Sequence, residues 1–136
     1  MMDYFADTFY YLAILNPTDA AHQRATSLGS QLGGRVVTTA WVVQEVADGL
    51  AQPPSRGSVL KFLTYLQNDP LTTMIEAQPS LWREGLELYC SRQDKSWSLT
   101  DCISFVVMQQ RGIKEALTGD RHFEQAGFIA LLKSPR

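Results

Sequence analysis

Short apolar segments alternate with longer amphipathic ones along the chain, and this alternation restricts the fold more than any other feature. Residues 3–6 read as a first buried strand. Pro17 and Thr18 open a helix that runs toward Leu32 and ends at Gly33 and Gly34. The β-branched run at residues 35–38 is a second strand, after which Thr39 caps a helix reaching about Leu50. Pro53 and Pro54 interrupt the chain. Residues 57–68 carry Val59, Leu60, Phe62, Leu63 and Leu66 at helical spacing, and residues 71–75 are a third strand. Pro79 starts a further helix to about Arg92, with Leu81, Leu86, Leu88 and Tyr89 as its apolar face. Residues 98–110 form another helix, stopped by Gly112. Residues 113–118 are a fourth strand and 128–132 a short fifth, with a helical turn at 121–126 between them.

This order predicts an α/β protein: a mainly parallel sheet of four to five strands with helices on both faces. Its functional crevice should lie beyond the carboxyl ends of the strands. The 136 residues suit one domain over the whole chain. A hydrophobic fraction of 45% and a charged fraction of 19% fit a packed core and exclude a disordered chain. The first fifteen residues lack a basic start and include Asp3 and Asp7, so neither a signal peptide nor a membrane span is expected. The expected location is the cytoplasm. Cys90 and Cys102 match no zinc spacing and read as reduced, partly buried thiols.

Two acidic residues fall at the predicted crevice. Asp7 follows the first strand, and Asp120 follows the fourth. Either alone is a common helix cap or turn residue; two at one edge carry more weight. Glu45 lies within a helix and shares its face with Val42 and Gly49, where a carboxylate is costly to bury without a partner or a cation. The plain alternative is a boundary residue reaching solvent. Asp48 reads as surface. Asp101 follows Ser98 by three positions, a capping-box pattern that by itself explains an acidic residue there. A helix N-terminus also stabilises an ionised carboxylate, so capping and a second role can coexist.

If these carboxylates converge, two like charges ~4 Å apart repel by about 4 kcal/mol at an effective dielectric of about 20. A hard divalent cation relieves that repulsion. Oxygen ligands without His or Cys select Mg²⁺ or Mn²⁺ over zinc. Such sites lower the pKa of bound water and stabilise charge on a phosphodiester. The net charge of −2 is unusual for a nucleic-acid binder, but a local basic rim and a bound cation would compensate.

Several segments resemble the PIN domains, and within them the VapC-like toxins. These are Phe5-Ala6-Asp7-Thr8, Val42-Val43-Gln44-Glu45-Val46, Trp97-Ser98-Leu99-Thr100-Asp101-Cys102-Ile103-Ser104 and Leu117-Thr118-Gly119-Asp120-Arg121-His122-Phe123, then Gly127-Phe128. Their order and spacing match across nearly the whole chain. The resemblance implies a three-layer α/β/α fold and Mg²⁺- or Mn²⁺-dependent cleavage of single-stranded RNA. It carries the acidic set over to Asp7, Glu45, Asp101 and Asp120, and hydroxyl positions near the metal or a phosphate to Thr8, Ser104 and Thr118. It also implies a homodimer and a small antitoxin partner. Asp7 and Asp101 are the first choices for direct metal ligands.

Arg92, Lys95, Arg121 and His122 are candidates for holding an RNA backbone, with solvated surface charge as the plain alternative. His122 reads as a structural or rim residue, His22 as a residue on a polar helix face, and Asp94 as a loop residue. Trp41 and Trp97 read as packing aromatics. A phosphatase of the haloacid-dehalogenase type also places an Asp after the first strand, but it wants a second Asp where Phe9 stands. Two rivals share the fold: a binding module that does not cut, and a nuclease of RNA processing that is not a toxin.

Overall fold

A computed structural model describes residues 1–134. Five strands form one wholly parallel sheet: β1 (Met2–Ala6), β2 (Gly34–Thr39), β3 (Thr72–Ile75), β4 (Glu115–Leu117) and β5 (Ile129–Ala130), in the order β3-β2-β1-β4-β5. Seven helices connect and flank them: α1 (Thr8–Leu15), α2 (His22–Gln31), α3 (Ala40–Gly49), α4 (Arg56–Asn68), α5 (Pro79–Ser91), α6 (Leu99–Arg111) and α7 (Arg121–Gln125). The predicted α/β class with a parallel sheet is therefore the fold observed. Among the described residues no helix is long and apolar enough to cross a membrane.

Strand order decides where a site can form. The chain steps outward from β1 to β2 to β3, then returns across the sheet to β4 on the other flank of β1. The connections leave β1 and β4 in opposite directions, which opens a crevice at their carboxyl ends. Phe5 and Ala6 of β1 pair with Ala116 and Leu117 of β4, so the residues that follow both strands emerge side by side. Phe5, Ala6, Ala116 and Leu117 are fully buried, as befits central strands covered on both faces. On the other flank, Thr38 is buried and its hydroxyl donates to the Ala6 carbonyl at 2.9 Å, satisfying that acceptor at the crevice edge.

The spacing of the sequence does not predict α1. Its residues Thr-Phe-Tyr-Tyr-Leu-Ala-Ile-Leu are apolar nearly all round, so no single stripe marks a helix. Burial explains this: Tyr10, Tyr11 and Ala13 are inside, and Tyr11 meets Phe62 of α4 with ring centroids 4.8 Å apart. Fully burying one such side chain stabilises the fold by roughly 1.5–3 kcal/mol.

The helix expected from Pro17 begins instead at His22. The Asn16 side chain accepts from the Thr18 N–H and hydroxyl, and Asp19 accepts from the Ala21 N–H. These local turns compete with helix over residues 16–21. His22, expected on a polar face, lies 2.7 Å from the Ala13 carbonyl and ties α2 to α1. On α5, Leu81 is buried, but Tyr89 is 48% exposed and is no part of the apolar face. Cys102 is buried, which pushes its thiol up to about 11, whereas Cys90 is exposed.

Candidate metal centre

Asp7 occupies the junction of β1 and α1, at the N-cap position, yet its side chain makes no capping bond. Its Oδ2 accepts instead from the Thr118 hydroxyl at 2.9 Å, a contact spanning the β1–β4 crevice. Only 4% of Asp7 is exposed. Burial pushes its carboxyl up to about 7; the Thr118 hydroxyl and the Thr8 N–H pull it down, and the charges of Asp101 and Asp120 add to the rise.

Asp120 follows β4 and caps α7, its Oδ1 accepting from the His122 N–H at 2.9 Å. Its own N–H donates to the Thr118 hydroxyl oxygen at 3.0 Å. One buried hydroxyl thus links Asp7 to Asp120. Gly119, between Thr118 and Asp120 in the chain, lies in a tight place: a Cβ there would sit 2.5 Å from Phe9 Cζ and 3.0 Å from the Leu132 carbonyl oxygen. Gly119→Ala is expected to lower stability by about 1–3 kcal/mol through overpacking. Urea denaturation checks this, and an unchanged midpoint would mean that the loop yields freely.

Asp101 arrives from α6. The capping box expected there is present: the Asp101 N–H donates to Ser98 Oγ at 3.0 Å, and the Ser98 N–H donates back to Asp101 Oδ2 at 3.1 Å. Capping does not take Asp101 away from the crevice. Its Oδ2 also lies 2.9 Å from His122 Nδ1, which is 3.4 Å from Asp120 Oδ1. Asp101, Asp120 and His122 each offer a ligand atom within 4.8 Å of the other two. Burial raises the Asp101 pKa, partly offset by the hydrogen bonds from His122 and Ser98.

The four carboxylates do not form one tight knot. Asp7 stands beside the Asp101–Asp120 pair, joined through Thr118. Glu45 is half-buried on α3 and outside the close set; its Oε1 accepts from the Thr8 hydroxyl at 2.6 Å, next to Asp7 in the chain. The expectation of an oxygen-only cluster also changes, because a ring nitrogen of His122 lies among the carboxylates. Its position two residues after Asp120 was the available signal.

The hydroxyl residues differ in what they reach. Ser104 is fully buried and donates to the Thr100 carbonyl one turn back on its own helix. Thr118 is equally buried and orients carboxylates. Arg121 is exposed at the start of α7. Arg92 holds Asp94 through two bonds of 3.0 and 3.1 Å and lies 5.0 Å from the Trp97 ring centroid. Lys95 lies 5.9 Å from the same ring. Trp97 is buried, with Nε1 donating to Gln125 at 3.0 Å, and is a packing residue as expected. Trp41 is half-buried.

Among the described residues no Lys or Arg pairs with Asp7, Glu45, Asp101 or Asp120. Two buried carboxylates with raised pKa values and no Lys or Arg partner leave negative charge for a cation to neutralise. Carboxylate oxygens with at most one imidazole fit Mg²⁺ or Mn²⁺.

Comparison with known proteins gives the family and the fold. A family model described as the PIN domain matches residues 4–129. A 23S rRNA-specific endonuclease, VapC20 of Mycobacterium tuberculosis, is 26% identical over 130 residues, covering 92% of this chain and 95% of that protein. The crystal structure of VapC20, described as a Sarcin-Ricin loop cleaving toxin, is similar with a TM-score of 0.85 and 24% identity, over 92% of this chain and 95% of that one. VapBC2 from Rickettsia felis, bound to a DNA fragment from their promoter, has a TM-score of 0.67 at 12% identity, over 95% and 96%. FitAcB from Neisseria gonorrhoeae has 0.63 at 19%, over 95% of each chain. At these identities the structural matches speak to the fold alone.

Proposed function

The chain belongs to the PIN-domain family, and from that footing we propose that it is a Mg²⁺- or Mn²⁺-dependent endoribonuclease. In this reading it cleaves single-stranded RNA, folds as one domain over residues 1–136, acts in the cytoplasm as a homodimer and is the toxin held by a small antitoxin. The observation that carries the reading is the meeting of Asp7, Asp101 and Asp120 at the β1–β4 crevice without a Lys or Arg partner among the described residues. The similarity to VapC20, named a 23S rRNA-specific endonuclease, supports RNA as the substrate class.

Protein donors hold each of these three carboxylates: the Thr118 hydroxyl and the Thr8 N–H for Asp7, Ser98 and His122 for Asp101, the His122 N–H for Asp120. The oxygen lone pairs that these donors leave open are the candidate ligand positions. Asp7 and Asp101 would hold the ion directly, with Asp120 and Glu45 completing the site directly or through water. A bound ion supplies a water of lowered pKa and neutralises charge on the phosphodiester. Thr118 and Thr8 keep Asp7 and Glu45 in register, which limits reorganisation during reaction.

A surface cleft of about 490 Å³ lined by Arg92, Lys95, Trp97 and Cys102 adjoins the start of α6 and suits an RNA backbone leaving the site. Arg121, beside Asp120, is a second phosphate contact in this reading.

Incubation with a defined RNA pool, with and without Mn²⁺, tests the proposal. Cleavage only with metal is the expected result; intact RNA with metal present would leave a non-cutting binding module. The toxin role is read separately, from growth arrest when the chain is expressed alone and its relief by the product of a small gene immediately upstream. Cleavage without growth arrest would favour an RNA-processing nuclease.

A further inference from the structure

We infer that His122 is a positioning residue: it fixes which oxygen of Asp101 faces the metal, and is neither a metal ligand nor a general base. The inference rests on the metal-dependent reading above and concerns how this chain builds that site.

The argument begins with Asp101. Its Oδ2 has two donors, the Ser98 N–H at 3.1 Å and His122 Nδ1 at 2.9 Å. A carboxylate oxygen offers two lone-pair directions, so Oδ2 is filled by protein and Oδ1 is the oxygen left for an ion. Ser98 alone secures only the cap. His122 supplies the second bond, and from a separate element, α7, which follows β4.

His122 is well placed for this because its surroundings hold it. Its N–H is bound to Asp120 Oδ1 at 2.9 Å, so one residue grips two carboxylates, Asp120 by its backbone and Asp101 by its ring. The next residue, Phe123, is fully buried and meets Phe105 of α6 edge-on, centroids 4.9 Å apart. Trp97, just before the Ser98 cap, donates to Gln125 of α7 at 3.0 Å. These contacts anchor α7 against the N-terminal half of α6 and the residue before its cap.

The Nδ1 atom has acceptors around it: Asp101 Oδ2 at 2.9 Å and Asp120 Oδ1 at 3.4 Å. It therefore carries a hydrogen, both in the neutral tautomer with hydrogen on Nδ1 and in the imidazolium. Its donor role is the same in either state. To ligate an ion through Nδ1, the ring would have to give up that bond.

Partners of metal-ligating carboxylates typically change metal affinity 10–100-fold when removed. Mn²⁺ binding to the full chain, followed by electron paramagnetic resonance without RNA, separates the possibilities. His122→Ala is expected to weaken Mn²⁺ binding by about 10-fold or more. His122→Asn, which can return an N–H to the Nδ1 position, is expected to restore most of it. The metal-free melting temperature of His122→Asn should match wild type. The inference is overturned if His122→Ala binds Mn²⁺ as tightly as wild type, if His122→Asn is as weak as His122→Ala, or if bound Mn²⁺ shows a directly coordinated nitrogen. A wild-type chain that binds no Mn²⁺ removes both this inference and the metal-dependent reading. Mn²⁺ binding with the expected pattern but no RNA cleavage would remove the nuclease reading alone.

Discussion

Asp101→Asn is expected to cleave RNA ~10³-fold more slowly than wild type in Mn²⁺, a loss equivalent to several kcal/mol of transition-state stabilisation, while folding normally. The variant separates two roles that coincide in one side chain. The amide oxygen can still accept from the Ser98 N–H and His122 Nδ1, as Oδ2 does, so the capping box survives. The amide NH₂ then occupies the other position, where it cannot ligate a cation. The stability cost is the loss of a negative charge in the first turn of α6, about 0.3–1 kcal/mol. Single-turnover cleavage at saturating Mn²⁺, with circular dichroism on the same sample, measures both. If the variant cuts at the wild-type rate, Asp101 is a cap and nothing more, and the proposed centre loses one of its two principal ligands.

That ambiguity shows what a sequence of this kind reveals. Strands β1, β2 and β3 were legible because β-branched and apolar runs sit between clear breakers. Asp7 and Asp120 were legible from their places after strands, and the parallel sheet then puts them at one edge. By its local pattern Asp101 was legible only as a cap, and the family resemblance alone named it a ligand, because capping is a local pattern whereas approach to Asp120 depends on how α6 docks. His122 was undervalued for the same reason: its bond to Asp101 spans 21 positions and exists because Phe123 packs on Phe105. Helix α1 was missed because an element buried on most sides has no amphipathic stripe to read. Pro17 misled because Asn16 and Asp19 spend their side chains on turns that delay α2 to His22. The exposure of Leu60 and Tyr89, both read as core-facing, is also tertiary: the helical spacing was right, but the apolar stripe is wider than the contact that covers it.

Asp7→Asn should abolish metal-dependent cleavage and yet make the metal-free protein more stable at pH 8. In the folded chain the Asp7 carboxyl is pushed up to about 7 from its ordinary 3.8, chiefly by burial. The native state therefore binds more protons than the unfolded state between these values. Stability must fall as pH rises through that window, and the loss is complete above pH 7. A shift of this size corresponds to on the order of 4 kcal/mol, held as unfavourable charge within the crevice. An amide is neutral throughout and its oxygen can keep the Thr118 hydrogen bond, so it escapes that cost. The melting temperature of Asp7→Asn should exceed that of metal-free wild type at pH 8, with the gap closing toward pH 4. Mn²⁺ should narrow the gap at pH 8 by stabilising wild type alone, by about 2.7 kcal/mol at a free concentration 100 times the dissociation constant. Calorimetry of both chains, with and without Mn²⁺ across this pH range, makes the comparison. Wild type melting above Asp7→Asn at pH 8 without metal would mean that the folded chain already compensates Asp7. The cation would then not be what the crevice is built to receive.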